Sequence, residues 1–328
     1  MMYCWELMSL KNLNVLITVY NKESHIQDLV INCNQLLRHG AQIIIIDDGS
    51  SDNSYEILQT IKSAGNNLIL RKTENLGSAS ARNLAVSLIT RDYFIFLDAD
   101  DLIDLENLFK AMAIVEQNSA DLFKFPYYKN EVIKTIENDA IFTGLLQSRK
   151  SRNLLIQGLG YWRYIYASKN IRGQLRFLPT FEELGGKRFI LDDFFWMLLI
   201  VSSNLRALTS TEYAFYKYVR KDNSSFEENR KNLAEYRSQF INFPIGLKLC
   251  LSHSTNLRID RFWLLLYYCR YVNGLIGILD FENFQKFLTN TNKIKLDSFL
   301  CFFGFLYTIL LITPLWLMRF VKLRLKDS

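Results

Sequence analysis

Four short apolar runs, separated by helical periodicity and turn chemistry, constrain the first hundred residues more than any other feature of this chain. Asn14-Val15-Leu16-Ile17-Thr18-Val19 reads as a buried strand, and residues 23–38 carry a helical pattern that stops at Gly40. Ile43-Ile44-Ile45-Ile46 is a second buried strand. It runs straight into Asp47-Asp48-Gly49-Ser50-Ser51-Asp52-Asn53-Ser54, where Ser51 or Asp52 can cap a helix beginning near Tyr55. Leu68-Ile69-Leu70 is a third strand, residues 80–89 a helix, and Tyr93-Phe94-Ile95-Phe96-Leu97 a fourth strand. This alternation means βαβ units and a mostly parallel central sheet with helices on both faces, an α/β fold.

Directly behind the fourth run stands Asp98-Ala99-Asp100-Asp101. An Asp-x-Asp pair at a strand end puts hard oxygen ligands at the carboxyl edge of the sheet, where open α/β folds bind their ligands. Two close carboxylates there can hold Mn²⁺ or Mg²⁺. Such a cation shares its remaining positions with substrate phosphates, which implies a nucleoside diphosphate partner. The plainer alternative is a solvated turn, with Asp104 as the N-cap of a helix over residues 105–115.

The ordered series Thr18-Val19-Tyr20-Asn21-Lys22-Glu23, Ile46-Asp47-Asp48-Gly49-Ser50-Ser51-Asp52, Asn75-Leu76-Gly77 with Ala81-Arg82-Asn83, and Leu97-Asp98-Ala99-Asp100-Asp101 resembles the family 2 glycosyltransferases of the GT-A fold. The resemblance covers residues 13–225 and departs at Thr18, where many members have proline. It implies a GT-A nucleotide-diphospho-sugar transferase domain over residues 1–225, with a nucleotide-binding half at 13–125 and an acceptor half at 126–225. The implied activity is that of an inverting, metal-dependent hexosyltransferase that moves a sugar from a nucleotide-sugar donor, usually a UDP-sugar, to an acceptor hydroxyl. By the same resemblance Asp100 is the direct ligand of Mn²⁺ or Mg²⁺ and Asp98 faces the ribose and the metal. Thr18, Tyr20, Glu23, Asp47 and Asp48 then recognise the base. Asp47 alternatively caps its turn. Arg82, just inside a helix, lies within reach of a phosphate or of the aspartates.

A direct displacement is nearly in line and needs a base for the acceptor hydroxyl. Leu191-Asp192-Asp193-Phe194-Phe195-Trp196 resembles the Glu-Asp motif of the family. Asp193 matches the catalytic base and Asp192 the acidic residue before it, one methylene shorter than the usual glutamate. Their alternative is as helix N-terminal acids favoured by the macrodipole. Glu182 and Glu183 compete for the acceptor groove. The aromatic stretch Tyr161-Trp162-Arg163-Tyr164-Ile165-Tyr166 either stacks on a sugar or belongs to the sheet core. Arg220 and Lys221 either close on the diphosphate from a mobile loop or form a solvated turn.

The chain has 328 residues, enough for one large α/β domain and an appendage. Cys4, Cys33, Cys250, Cys269 and Cys301 show no close pair and no zinc spacing with the histidines, so they read as buried thiols of a reducing compartment. The first residues lack the basic cluster of a signal peptide, and Met8 is an alternative start; a cytoplasmic location is expected. Residues 226–328 form a helical C-terminal region. Within it residues 299–318 carry no charge, a length that can cross a bilayer, and Arg319, Lys322, Arg324 and Lys326 follow. A single span would send that basic tail outward, so a shallow helix kinked at Pro314 is expected, peripheral or monotopic at the inner face of the cell membrane. The alternative is a buried helix pair. A net charge of +6 fits an anionic lipid surface better than nucleic acid, for which no groove-binding motif is present. The implied work is extension of a saccharide acceptor, lipid-linked, for a surface polysaccharide. Two rivals are a sugar nucleotidyltransferase, whose Gly-rich, lysine-bearing loop is missing from residues 18–23, and a non-catalytic saccharide-binding or scaffold protein, which would lose a carboxylate.

Overall fold

The computed structural model describes residues 9–61, 66–129, 132–134, 142–145, 160–171, 192–210 and 213–219. The nucleotide half runs β1 (Leu13–Val19), α1 (Ile26–Arg38), β2 (Gln42–Asp47), α2 (Ser54–Leu58), β3 (Leu68–Lys72), α3 (Ser78–Ser87) and β4 (Tyr93–Asp98). Beyond it come β5 (Leu102–Ile103), α4 (Leu105–Gln117), β6 (Leu122–Lys124), β7 (Tyr127–Lys129), β8 (Val132–Lys134) and β9 (Phe142–Leu145). The described chain closes with β10 (Tyr164–Ala167), α5 (Ser168–Ile171), α6 (Asp192–Ser202), β11 (Arg206–Thr209) and β12 (Tyr216–Tyr218).

Eight strands form the central sheet in the order β3-β2-β1-β4-β10-β6-β11-β9. The β3-β2-β1-β4 half is wholly parallel, as the alternating pattern requires. The other half is mixed: β10 runs antiparallel to both β4 and β6, β11 lies parallel to β6, and β9 is antiparallel to β11. Because β10 reverses direction, the carboxyl ends of β4, β6 and β11 share one edge with the start of β10. A smaller sheet, β5-β12-β7-β8, stands beside this edge.

Burial explains why the first strands read as unbroken apolar runs: Ile43, Ile44, Ile45 and Ile46 are all completely buried, because helices cover both faces. Helix α1 buries Ile26, Leu29, Val30, Cys33 and Leu36, a single stripe at helical spacing. Each large aliphatic side chain so buried stabilises the fold by about 1.5–3 kcal/mol. Burial also pushes the Cys33 thiol up to about 12, so this cysteine packs as a small apolar group. The other four cysteines lie outside the described residues.

The starts of α1 and α3 differ from the sequence expectation, each for a local reason, and α2 starts next to the expected Tyr55. Helix α1 starts at Ile26 rather than 23, because Asn21 takes a left-handed φ of 50° and the Lys22 carbonyl closes a turn on the His25 and Ile26 amides. Helix α2 starts at Ser54 with Asn53 at the N-cap position but no cap bond from its side chain, while Asp52 accepts from the Ser54 and Glu23 amides at 3.0 Å each. Helix α3 begins at Ser78, directly after Gly77 with its φ of 94°. Asp104 does cap α4, accepting the Asn107 amide at 3.2 Å.

The aromatic stretch 161–166 resolves as core. Tyr161 and Arg163 sit in a short 3₁₀ turn, and Tyr164, Ile165 and Tyr166 are completely buried on β10. Tyr166 stacks on Phe94 with ring centroids 4.8 Å apart, and its hydroxyl accepts from Trp196 Nε1 at 3.1 Å. That bond and the edge of Trp196 against Phe96 fix α6 beneath β4 and β10. Helix α6 is buried from Phe194 to Val201, too apolar all round to be a surface helix.

Lys124 was not singled out by the sequence. It lies completely buried on β6, in register between Tyr164 and Thr209, with its ammonium 5.7 Å from the Tyr164 ring centroid. Burial, then the Arg163 charge, drives its pKa well down. Among the described residues no helix is long and apolar enough to cross a membrane. Residues 226–328, with the uncharged stretch 299–318, lie outside the described residues.

Candidate active site

The strand order 3-2-1-4 places its switch point between β1 and β4, the crevice where open α/β sheets take ligands. Register brings the sequence motifs together there. Thr18 stands opposite Asp98 on β4 and opposite Ile46 on β2, and Val19 stands opposite Asp47. Residues 28 and 80 positions apart therefore meet within three adjacent strands.

Tyr20 is 44% exposed just beyond β1, an open aromatic face at this edge. Asn21, Lys22 and Glu23 form the following loop, stitched to the loop after β2. The Asn21 amide donates to Ser50 Oγ at 3.0 Å, its side-chain oxygen accepts from the Ser51 amide at 2.9 Å, and the Lys22 amide donates to Ser54 Oγ at 2.8 Å. The Glu23 carboxylate takes both the amide and the side-chain NH₂ of Asn53, at 3.2 and 2.7 Å. In this structure Glu23 is thus a clamp between two loops, with both carboxylate oxygens bonded to Asn53.

Asp47 and Asp48 are both buried at the strand end. Asp48 organises the loop after β3: its two oxygens accept from the Leu76 and Gly77 amides at 2.9 and 2.8 Å and from Thr73 Oγ1 at 3.2 Å. Burial raises its pKa, and these same bonds hold the rise down. Asp47 Oδ1 caps its own turn through the Ser50 amide at 3.0 Å, while Oδ2 is a buried oxygen with no hydrogen-bond partner among the described residues. Such an oxygen is an unused acceptor at the ligand edge. Gly49 between these carboxylates and the loop has a φ of 75°, and a Cβ there would lie 2.8 Å from the Asn75 amide nitrogen. Only glycine lets the two loops approach this closely.

The carboxylates after β4 are wired differently from one another. Asp98 Oδ1 accepts from the Tyr161 hydroxyl at 2.6 Å, and the Arg82 guanidinium lies over the Tyr161 ring at 4.5 Å. Burial raises the Asp98 pKa against the opposing pull of Arg82 and of the Tyr161 bond. Arg82 thus lies over the ring whose hydroxyl bonds Asp98, and its charge acts on that carboxylate. Asp100 is more open, and its Oδ2 pairs with Lys22 Nζ at 2.8 Å. Asp101 turns inward, accepting from the Tyr216 hydroxyl at 2.9 Å and from the Val219 amide at 2.8 Å. Burial and then the Asp98 charge push its pKa up to about 8. The same Tyr216 hydroxyl accepts the Asp98 amide at 3.1 Å, so β12 is pinned to the aspartate turn.

Tyr161, Lys22 and Tyr216 are the positioning residues that sequence reasoning missed. Lys22 lay inside a recognised motif, but its partner is 78 residues away and only the fold joins them. Asp192 and Asp193 open α6, and the side chains of both lie outside the described residues, as do Glu182, Glu183, Arg220 and Lys221. Among the described residues no group of three or more His, Cys, Asp or Glu side chains is arranged to hold a metal ion by itself. Two hard carboxylates side by side, one already bearing a cation on Oδ2, nevertheless suit a divalent ion that completes its shell with phosphate and water.

Comparison with known proteins agrees with this geometry. Residues 14–174 match the family described as Glycosyl transferase family 2. An uncharacterized glycosyltransferase of Haemophilus influenzae is 33% identical over 112 residues, which cover 34% of this chain and 45% of that protein. The poly-beta-1,6-N-acetyl-D-glucosamine synthase of Staphylococcus aureus is 28% identical over 192 residues, 57% of this chain and 42% of the synthase. The chain thus spans under half the length of these curated relatives. The crystal structure of S. aureus TarS 1-349 in complex with UDP-GlcNAc superposes with a TM-score of 0.65 at 16% identity, covering 85% of this chain and 79% of that one. At that identity the likeness speaks for the fold. Strand order, the motif-bearing edge and the match over residues 14–174 converge: the chain carries a glycosyl transferase family 2 domain and has the GT-A fold.

Proposed function

We propose that this protein transfers a sugar, with inversion, from a UDP-sugar to a hydroxyl of a saccharide acceptor. The observation that carries the proposal is the register of β1, β2 and β4, which sets Thr18, Asp47 and Asp98 side by side with Asp100 and two cations, Lys22 and Arg82. Tyr20 offers a face for the base and Asp47 Oδ2 an acceptor for its imide N–H. Asp100 and Asp98 are the residues that would hold Mn²⁺ or Mg²⁺. A divalent ion bound there supplies Lewis-acid neutralisation of the charge that develops on the leaving diphosphate. The acceptor oxygen forms its bond to the anomeric carbon as the bond from that carbon to the diphosphate oxygen breaks. Asp193 takes the acceptor's proton, and the nucleoside diphosphate departs. The buried half of the sheet around Tyr161 and Tyr166 keeps the aspartate edge rigid, and thus pre-organised for the charged leaving group.

A nucleotidyltransferase reading loses support at the β1–α1 turn, where Tyr20-Asn21-Lys22-Glu23 contains no glycine. The poly-beta-1,6-N-acetyl-D-glucosamine synthase named among the relatives supports a place in surface polysaccharide synthesis. The test is a panel of UDP-, GDP- and dTDP-sugars with Mn²⁺, reading nucleoside diphosphate release with and without oligosaccharide acceptors. Release from a UDP-sugar is the expected result, accelerated by an acceptor. Binding and release confined to another nucleotide, or to none, would overturn the donor assignment.

The acceptor in this proposal is lipid-linked and the protein sits at the inner face of the membrane, a reading supported by the uncharged stretch 299–318 and the four cations that follow it. Each cation near anionic lipid contributes about 1 kcal/mol. Full-length protein is expected to sediment with membranes, to be released in part by high salt, and to be released fully by detergent. A chain that stays in the supernatant without detergent would end the membrane reading.

A further inference from the structure

We propose that Lys22 is a resident counter-ion of Asp100, which a divalent cation must displace, so that the site loads metal together with nucleotide and not before it. The inference deepens the nucleotide-sugar reading above and rests on it for the identity of the second ligand. Its observation is the ion pair between Lys22 Nζ and Asp100 Oδ2 at 2.8 Å, with side chains 27% and 33% exposed. The Lys22 ammonium stands where a cation on Asp100 would stand.

The charge pattern around the pair sharpens the argument. Asp98 has Arg82 and the Tyr161 hydroxyl beside it, and Asp100 has Lys22. Two carboxylates are matched by two cations before any ligand arrives. A divalent ion entering alone gains one carboxylate only by expelling an ammonium, which stays nearby and repels it. A divalent ion arriving with a diphosphate meets different energetics, because the displaced ammonium finds phosphate oxygens to pair with. Lysine suits this exchange: its charge is compact and sits on a flexible four-carbon stem.

The backbone around Lys22 is held so that only the side chain needs to move. Its amide donates to Ser54 Oγ at 2.8 Å, and its carbonyl accepts from the His25 and Ile26 amides at 2.9 and 3.1 Å. Asn21 before it is fixed in its left-handed conformation by Ser50 and Ser51. The ammonium thus swings from a fixed base between Asp100 and whatever anion lies at the strand edge.

The test reads metal binding directly, through the electron paramagnetic resonance signal of free aqueous Mn²⁺ during titration of the full chain. Wild type, Lys22→Met, Lys22→Gln and Asp100→Asn are compared with and without UDP. Without UDP, both Lys22 variants are expected to bind Mn²⁺ about two- to fivefold more tightly than wild type, the range set by a partly exposed ion pair. With UDP, this advantage is expected to vanish or reverse, because the ammonium no longer pairs with the diphosphate. Asp100→Asn is expected to bind Mn²⁺ weakly in both conditions. Lys22→Met and Lys22→Gln proteins that melt like wild type, yet bind Mn²⁺ no more tightly without UDP, overturn the proposal; so does an Asp100→Asn variant with undiminished Mn²⁺ binding. Failure of the nucleotide-sugar reading looks different: wild type then binds no UDP, while the UDP-free comparison still decides the role of Lys22.

Discussion

Replacement of Asp100 by asparagine is expected to lower turnover of the sugar donor by on the order of 10²–10³-fold, the size seen when one pre-organised electrostatic partner of the leaving charge is removed. The residue is only one-third exposed, stands at the carboxyl edge beside Asp98, and already carries a cation on Oδ2. Asparagine keeps the shape and one acceptor but loses the negative charge that a hard divalent ion needs. UDP affinity should fall only in the presence of Mn²⁺. Thermal stability should barely move, since a partly exposed ion pair such as Lys22–Asp100 is worth about 1 kcal/mol or less. Steady-state kinetics, UDP binding with and without Mn²⁺, and a melting curve check all three statements. Retained activity across a metal titration would remove Asp100 from the proposed chemistry.

Asp193→Asn is expected to cost about 10²–10⁴-fold in kcat, the usual contribution of a general base, while the dissociation constant for the donor stays nearly unchanged. A group that acts only as the acceptor hydroxyl loses its proton contributes to the transition state and not to donor binding. Helix α6 starts at Asp192 and is locked beneath β4 and β10 by Trp196, whose Nε1 donates to the Tyr166 hydroxyl. Donor affinity that falls as far as the rate would put Asp193 in the nucleotide site instead. Rate and affinity both unchanged would return it to the role of an N-terminal helix acid.

The parallel half of the sheet was legible because its signal is local. Short, largely apolar runs bounded by turn residues read as strands, and β1, β2 and β4, the buried ones, lie within two residues of where periodicity put them. Asp104 as a helix cap was legible for the same reason, since a cap bonds within its own turn. Legibility failed where the partner is distant in sequence. Nothing in the motif around Glu23 marks its bonds to Asn53, which join two loops. Asp48 carries no mark of its bonds to Leu76 and Gly77, which exist only once β3 pairs with β2. The mixed half of the sheet was hidden because β6, β10 and β11 are only three or four residues long, too short for periodicity to assign direction.

By itself the sequence determined which residue types stand at the ends of which strands: hydrophobic runs choose the strands, and the carboxylates that follow each run must emerge at the carboxyl edge of a parallel sheet. Only the tertiary structure decided how those carboxylates differ. Asp98 is held by Tyr161 and Arg82, Asp100 by Lys22, and Asp101 by Tyr216 and Val219, although the three aspartates lie within four consecutive residues. The physical reason is that burial and charge are properties of surroundings. A carboxylate's role follows from which amide, hydroxyl or ammonium the fold brings within 3 Å of it, and those groups come from strands and loops up to 118 residues away.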